Sequence, residues 1–146
     1  MKHNKCVQMV HQRNNTLKVK TSDLIGPALD WAVAKCEGCE IQLLGDILLI
    51  RPTHPGGVYR PSTEWAYGGP IIEREGIQLF VNRNVGTTES GVEFDERDGW
   101  KAYRTGRYWQ TQAAYFGPTP LIAAMRCYVA MKLGDEIEVP DELLEK

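Results

Sequence analysis

The sequence has no run of about 18 apolar residues, so a membrane-spanning helix is not expected. It also lacks a strong charge of either sign, because 17 Lys and Arg oppose 19 Asp and Glu. A formal net charge of −2 excludes a strongly basic protein that coats nucleic acid and an acidic disordered chain. The first 16 residues lack the apolar core of a secretory signal. We therefore expect a cytoplasmic protein.

Motifs for catalysis and phosphate binding are also missing. The sequence contains neither a G-x-x-x-x-G-K-[ST] nor a G-x-G-x-x-G loop, and it has no G-x-S-x-G nucleophile motif. Of its 3 histidines, His54 alone lies beyond the first 16 residues. We therefore favour a protein that is not an enzyme and needs no cofactor. A hydrolase of nucleotides or nucleic acid that uses His54 and nearby glutamates stays open as an alternative.

The 4 cysteines predict neither disulfides nor a metal site. Without a secretory signal, the thiols are expected to be reduced. Cys36 and Cys39 have the C-x-x-C spacing, but no second pair follows to complete the ligands of a zinc ion. The pair also stands at the end of a predicted helix, where the helix does not activate a thiol. We expect Cys36 in the core and Cys39 in the following turn.

A chain of 146 residues corresponds to one domain of ordinary size. Residues 1–16 are polar and have no apolar periodicity, which predicts a disordered leader. The chain from residue 135 onward is acidic and contains Pro140, so we expect an exposed segment there. The predicted organisation is a leader at 1–16, a single domain at 17–140 and a short acidic tail at 141–146.

Apolar periodicity alternates between strand and helix along the domain. Helical spacing predicts a helix at 24–36, capped by Thr21, Ser22 or Asp23, and a second helix at 120–133 after the N-cap Thr119. Strands are predicted at 17–20, 41–43, 47–50, 77–81, 100–104 and 108–116, short helical segments after Ser62 and at 71–75, and a mobile hairpin loop at 82–99. This order predicts an α+β domain in which a small antiparallel sheet of about 4–6 strands packs with two amphipathic helices.

The last predicted helix is apolar on nearly every side, and Arg126 and Lys132 are its only charges. Such a helix is typical of a position buried on several sides, so we expect a homo-oligomer in which a second subunit covers part of it. Arg126 needs a partner, either a carboxylate such as Asp30 or an anionic ligand. The salt bridge is the simpler of the two alternatives.

The segment from residue 51 to 75 is the best candidate for a binding site. Arginine binds phosphate in a bidentate way, aromatic rings stack on bases, and glycines let the backbone approach an anion. A structural turn with Trp65 in the core is nearly as well supported. A second cluster of arginine and aromatic residues follows the strand at 100–104. The predicted ligand-binding residues are Arg51, His54, Tyr59, Arg60, Ser62, Thr63, Trp65 and Arg74 in the first segment and Arg104, Tyr108 and Trp109 in the second.

Four blocks of the sequence resemble the phage NinX family. They are LKVKTSDL (17–24), ALDWAVAKCEG (28–38), PSTEWAYGGPIIE (61–73) and TPLIAAMRCYVA (119–130). The resemblance spans about residues 17–142, and its block at 61–73 is the most specific. The polar leader and the stretch around 82–116 depart from the usual pattern of the family. The resemblance implies a phage-encoded accessory protein that acts in the host cytoplasm, and it implies no reaction.

These observations favour a phage protein that binds a small anionic, nucleotide-like ligand without turning it over. Such a protein could sequester a host signalling nucleotide and so blunt an antiphage defence. The alternative is an adaptor that binds a host or phage protein through Trp65, Tyr67 and an exposed aromatic strand, since aromatic residues are enriched in interface hot spots. Membrane binding is not expected. Sequence-specific DNA binding is not expected either, because the sequence has no basic recognition helix.

Overall fold

The computed structural model describes residues 15–44, 47–51, 58–104 and 113–144, with the backbone alone at 44, 47–51, 85 and 94–98. Its elements in chain order are β1 (Thr16–Lys20), α1 (Gly26–Cys36), β2 (Glu40–Leu44), β3 (Ile47–Arg51), α2 (Trp65–Glu75), β4 (Ile77–Thr87), β5 (Glu93–Arg104), β6 (Tyr115–Gly117), α3 (Pro120–Leu133) and β7 (Glu136–Pro140). The predicted leader lies outside the described residues except for its last two positions, of which Thr16 already belongs to β1.

Three small antiparallel sheets contain the strands of the described residues. β2 and β3 form the predicted hairpin, β1 pairs with β7, and β4, β5 and β6 lie side by side in that order. The α+β class is therefore confirmed. The described residues contain seven strands and three α-helices, which is more than the expected 4–6 strands and two helices.

Helix α3 is the centre of the core. Eight of its residues are buried, on every side of the helix, and it packs against α1, α2 and all three strands of the larger sheet. Thr119 caps it as predicted, because its Oγ1 accepts a hydrogen bond from the Ile122 amide at 3.2 Å. Other elements of the same chain therefore cover the apolar surface of α3 that led to the prediction of a second subunit. The homo-oligomer stays a prediction, but this helix no longer argues for it.

Helix α2 is continuous, whereas the glycines and proline at 68–70 predicted two short helical segments. The reason is tertiary packing. A Cβ on Gly68 would stand 2.5 Å from the carbonyl oxygen of Pro61 and 2.6 Å from Leu121 Cδ2. Glycine at this position therefore lets α2 approach the preceding turn and α3 closely. The buried contact outweighs the low intrinsic helix propensity of the segment.

Helix α1 begins at Gly26, and the predicted capping residues do not cap it. Thr21–Asp23 form a separate 3-10 turn, in which the Thr21 side chain is buried. The Thr21 hydroxyl donates a hydrogen bond to the main-chain carbonyl of Gly134 at 2.6 Å, beyond the end of α3. A long-range partner therefore satisfies this buried hydroxyl in place of a local cap. Gly38 follows the helix with a φ of +67°, as predicted for its end.

Residues 82–99 do not form the mobile loop that their charges and glycines predicted. The backbones of β4 and β5 pair from Ile77 opposite Arg104 to Thr87 opposite Glu93, with one irregularity after Val81. Hydrogen bonds between the main chains hold the two strands together, so charged residues and glycines do not prevent the pairing. Of the strand predicted at 108–116, the described part contains only its end, as the start of β6.

The predicted exposed segment at the end of the chain is wrong for residues 136–144. β7 pairs with β1 along its whole length and buries Ile137 and Val139. Glutamates alternate with these apolar residues, so the acidic composition concealed a strand pattern with a period of two. Leu143 in the next 3-10 turn is also buried, at 3% exposure. The glutamates of β7 thus lie on the exposed side of a strand whose other side is buried.

Candidate functional site

Part of the predicted site lies outside the described residues. This holds for His54, Tyr108 and Trp109, and Arg51 is described only as a backbone position at the end of β3. The hydrolase alternative that depends on His54 therefore stays a prediction. The other predicted residues have described side chains, and the structure places them in four separate surroundings.

Tyr59 and Ser62 are buried in the segment that leads into α2. The Ser62 amide donates a hydrogen bond to Asp30 Oδ1 at 2.8 Å, so a carboxylate of α1 holds this turn. Burial raises the pKa of Asp30 to about 6, although hydrogen bonding to Ser62 and the charge of Arg60 lower it. The Tyr59 ring lies 5.3 Å from the Tyr67 ring, centroid to centroid, and burial raises the pKa of the Tyr59 hydroxyl. These groups fix the turn to the core.

Arg60, Thr63 and Trp65 remain together at the start of α2, and all three are exposed. Trp65 is 54% exposed, so the alternative interpretation that placed Trp65 in the core is wrong. Arg60 Nη1 stands 3.9 Å from Glu64 Oε1 in an exposed ion pair, which contributes little to stability. This cluster is the part of the predicted site that the structure keeps together.

Arg74 lies at the opposite end of α2. Nine residues separate it from Trp65, which corresponds to about 13 Å along the helix axis and about half a turn around it. Arg74 Nη2 donates to Glu37 Oε2 at 2.8 Å, and the Tyr128 hydroxyl donates to the same oxygen at 2.8 Å. The hydrogen bond to Glu37 raises the pKa of Arg74. Arg74 therefore joins α2 to α1 and α3 and is not part of a site with Arg60.

Arg104 is exposed at the end of β5, on the side of the sheet that faces α3. It follows the buried Ala102 by two residues, and side chains alternate between the two faces along a strand. Its charge acts on the Cys127 thiol of α3, lowering a pKa that burial raises to about 11. Phe80 and Tyr103 lie on the other face of the sheet, with ring centroids 5.8 Å apart. Arg104 and these two rings therefore lie on opposite faces of the sheet.

Arg126 is half-buried in α3 and is held by main-chain oxygens. Its Nε donates to the carbonyl of Leu24 and its Nη1 to the carbonyl of Phe116, each at 2.8 Å. None of the ion pairs among the described residues includes it, so the predicted salt bridge to Asp30 is wrong. Burial lowers the pKa of Arg126, and the charge of Asp23 acts in the opposite direction. Three of the five N–H groups of the guanidinium are left for another partner.

A pocket of about 450 Å³ opens beside this guanidinium. Its volume lies within the range of about 300–1,000 Å³ that is typical of small-molecule sites. Its lining residues include an arginine, an asparagine, two glycines and Phe116, which is 51% exposed. It is lined by Asn82, Gly99, Phe116, Gly117, Pro118 and Arg126. We call it the Arg126 pocket.

The two glycines of the Arg126 pocket are required by close packing. A Cβ on Gly99 would stand 2.6 Å from the carbonyl oxygen of Gly117, and Gly99 has a φ of +75°. A Cβ on Gly117 would stand 2.6 Å from the amide nitrogen of Ala123. Because neither position has room for a side chain, β5, β6 and the first turn of α3 come together next to Arg126.

The sequence contained a signal for this pocket, but the signal was incomplete. Arg126 stood out as a charge in an apolar helix that needed a partner. The other lining residues come from β4, β5, β6 and the turn before α3, and no local motif unites them. Phe116 was predicted in a strand and not as a ligand-binding residue, since its exposure depends on which strand forms the sheet edge.

A second pocket, of about 430 Å³, lies at the junction of β1 and β7 and suits an anion poorly. Asp135 and Glu136 line it together with Lys20. The Tyr115 hydroxyl donates to Asp135 Oδ1 at 3.2 Å. Two carboxylates beside one ammonium group repel a further negative charge. The Arg126 pocket is therefore the better candidate for an anionic ligand.

The C-x-x-C pair has the environment of structural thiols. Cys36 and Cys39 are half-buried against the core. Burial raises the pKa of Cys36 to about 12, and it also raises the pKa of Cys39. Raised pKa values disfavour the thiolate that redox chemistry and metal binding require. Within the part of the chain that the structure describes, no group of three or more His, Cys, Asp or Glu could hold a metal ion.

Comparison with protein families gives a match over most of the chain. The family model described as Bacteriophage P22, NinX matches residues 20–132. This range includes α1, α2, all but the last residue of α3, the whole larger sheet and every residue that lines the Arg126 pocket. A search of curated proteins finds no match. Among the described helices, none is long and apolar enough to traverse a bilayer.

Proposed function

The chain belongs to the bacteriophage P22 NinX family, and on this basis we propose that it is a phage accessory protein that binds a small anionic, nucleotide-like ligand in the Arg126 pocket. One observation carries the proposal. A half-buried guanidinium reaches the wall of a ligand-sized pocket and has only carbonyl oxygens as described partners. A phosphate group is the natural complement of such a cation.

The contacts of Arg126 prepare it for an anion. The carbonyls of Leu24 and Phe116 fix the plane of the guanidinium but do not neutralise its charge. A phosphate that accepts two N–H groups in bidentate geometry supplies a negative charge in direct contact and takes up two of the three remaining N–H groups. Since the side chain is already ordered, binding costs little additional rotamer entropy.

The other walls of the pocket suit a nucleoside. Phe116 offers half of its surface as a platform on which a base can stack. Asn82 adds a polar side chain to the wall of the pocket. The glycine backbone at positions 99 and 117 leaves room for a close approach. These features favour a nucleotide over a simple inorganic anion.

The proposed role is sequestration in the host cytoplasm. A phage protein that holds a host signalling nucleotide lowers its free concentration and so blunts the defence that the nucleotide triggers. Sequestration requires tight binding and no turnover, which agrees with the lack of catalytic motifs in the sequence. It also requires the protein to be made in amounts comparable to the nucleotide.

Calorimetric titration with AMP, together with native mass spectrometry of protein purified from host cells, tests this proposal. We expect AMP to bind, and we expect a nucleotide-sized species to be released from the purified protein on denaturation. Phe116→Ala should weaken AMP binding, and Trp65→Ala, another exposed aromatic at 54% exposure, is the matched control that should not. No released species and no detectable AMP binding would contradict the proposal.

The exposure of Trp65 supports a second candidate function, an adaptor for a host or phage protein. A tryptophan exposed at the first turn of a helix is a typical interface anchor. Its neighbour Tyr67 is half-buried against Tyr59 and contributes less free surface. A pulldown from infected cells tests this candidate. A partner that is captured by the wild type and lost with Trp65→Ala would support the adaptor, whereas identical captures would refute it.

A further inference from the structure

The outward face of the larger sheet presents aromatic rings around a single lysine. The register places Phe80 opposite Lys101 and Lys101 opposite Phe116, so these three side chains form a row across the strands β4, β5 and β6. Tyr103 lies on the same face and meets Phe80 edge-to-face, at 5.8 Å between ring centroids. Phe80 is 47% exposed and Phe116 is 51% exposed. We call this surface the aromatic row.

The residues on the opposite face of the same strands confirm that the aromatic row faces away from the core. Leu79, Ala102 and Tyr115 form the neighbouring row in the register, and all three pack into the core beneath α3. Because side chains alternate along each strand, the aromatic row faces away from the core. Phe116 belongs to this row and also lines the Arg126 pocket. Phe116 is therefore the residue that the aromatic row and the Arg126 pocket share.

The aromatic row carries a positive charge that no described group neutralises. Among the described residues, Lys101 takes part in no ion pair. The side chains directly opposite it are the rings of Phe80 and Phe116, and the Tyr103 ring follows two residues along β5 on the same face. An anion with flat apolar groups on both sides complements this arrangement. An apolar protein surface would leave the ammonium group of Lys101 desolvated and without a partner.

We infer that the ligand is a dinucleotide unit that extends from the Arg126 pocket across the aromatic row, an inference that rests on the function proposed above. One base stacks on Phe116 while its 5′ phosphate meets Arg126. The phosphodiester that joins the two nucleosides lies against Lys101, and the second base stacks on Phe80. Two strand spacings, about 10 Å, separate the two stacking surfaces, and Lys101 stands midway.

This arrangement follows the general way in which sheets bind single-stranded nucleotides. Successive bases stack on aromatic side chains, and basic residues between them follow the backbone phosphates. A cyclic dinucleotide and a single strand of nucleic acid share the same recognised unit, which is two bases joined through one phosphodiester. The two sources differ in their ends, because a cyclic dinucleotide has no terminal phosphate for Arg126.

The test compares four probes by calorimetric titration of the full chain: AMP, the linear dinucleotide pApA, cyclic di-AMP and a ten-residue oligoadenylate. We expect at least one of the three larger probes to bind about tenfold or more tightly than AMP, because a second base stacks. Tightest binding of cyclic di-AMP identifies a signalling nucleotide as the source. Tightest binding of pApA or the oligoadenylate identifies linear nucleic acid. Larger probes that bind no more tightly than AMP overturn the inference.

Variants of the aromatic row separate this inference from the proposed function. Phe80→Ala and Lys101→Gln should each weaken binding of the larger probes about tenfold and leave AMP binding within twofold. Val92→Ala, at 62% exposure beside the turn between β4 and β5, is the control that should change neither. Thermal melting checks that each variant is folded.

The outcomes are distinguishable. If AMP binds but the larger probes show no gain, the dinucleotide inference fails and the proposed function stands. If no probe binds, both fail. If Phe80→Ala weakens AMP and the larger probes equally, the second base does not stack on Phe80 and the inference is overturned.

Discussion

Arg126 Nη1 donates to the main-chain carbonyl of Phe116 at 2.8 Å, and Phe116, which lines the same pocket, is 51% exposed. One residue therefore orients the cation through its backbone and offers a stacking surface through its side chain. The two contributions can be separated, because truncating the ring does not remove the carbonyl.

The first prediction uses this separation. Phe116→Ala should weaken AMP binding about tenfold and change the free energy of unfolding by less than about 1 kcal/mol, because it removes a stack from an exposed position. Arg126→Gln should abolish binding and lower the free energy of unfolding by about 1–3 kcal/mol, because the carbonyls of Leu24 and Phe116 lose charged donors. Calorimetry and urea unfolding measure the two quantities. Unchanged affinity in both variants would place the ligand elsewhere.

The second prediction distinguishes the Arg126 pocket from the start of α2. Arg60→Glu reverses an exposed charge that forms an ion pair with Glu64 at 3.9 Å. If the ligand binds beside Arg126, AMP affinity should stay within about twofold, since exposed charges at a distance are screened. Titration at 0.15 M salt measures this. Abolished binding would return the site to Arg60, Thr63 and Trp65, as the sequence predicted.

The third prediction concerns two adjacent glycines of α2. Gly68→Ala should lower the free energy of unfolding by more than about 2 kcal/mol, because its Cβ would lie 2.5 Å from the carbonyl oxygen of Pro61. Gly69→Ala is the matched control, whose nearest neighbour would be the Trp65 ring at 3.9 Å. It should stabilise the protein by up to about 1 kcal/mol through helix propensity. Urea unfolding of both variants measures the two free energies. Equal changes in the two variants would contradict the close packing of Gly68.

The fourth prediction concerns the buried carboxylate of Asp30, which is 5% exposed. Burial raises its pKa from the ordinary value of 3.8 to about 6, so its protonation stabilises the folded state. This contribution is fully present below pH 3.8 and is lost as the pH rises through 6. The shift corresponds to a loss of roughly 3 kcal/mol at neutral pH.

Asp30→Asn provides the matched variant for that prediction. Its side-chain oxygen can still accept the hydrogen bond from the Ser62 amide, but it carries no titratable group. The difference in unfolding free energy between variant and wild type should therefore shift in favour of the variant as the pH rises from 4 to 7. Urea unfolding across this range measures it. A difference that is independent of pH would show that the carboxylate is not buried as described.

Elements with strong local signals were predictable from the sequence. The hairpin of β2 and β3, the end of α1 at Gly38 and helix α3 with its cap at Thr119 all follow local rules of periodicity and capping. Proline after the cap and glycine beyond the end bound α3 without reference to the rest of the chain. Local chemistry suffices in these places because the partners of each backbone group are close in sequence.

The sequence predictions are wrong at positions where contacts between distant residues determine the local structure. Gly68 stays helical because Pro61 and Leu121 leave no room for a side chain, and a sequence pattern cannot show this. The Thr21 hydroxyl finds its acceptor at Gly134, more than a hundred residues away. The acidic residues of β7 suggested an exposed segment, and its strand conformation depends on pairing with β1, which is distant in the sequence.

The sequence by itself determined the α+β class, the central apolar helix and the presence of one charge in that helix that needs a partner. Only the tertiary structure decided what that charge does. Arg126 could be placed beside a pocket only once β6 and the residues before α1 were known to supply its two carbonyl partners. The physical reason is that a binding site depends on which surfaces long-range packing leaves uncovered, whereas a helix or hairpin depends largely on neighbouring residues.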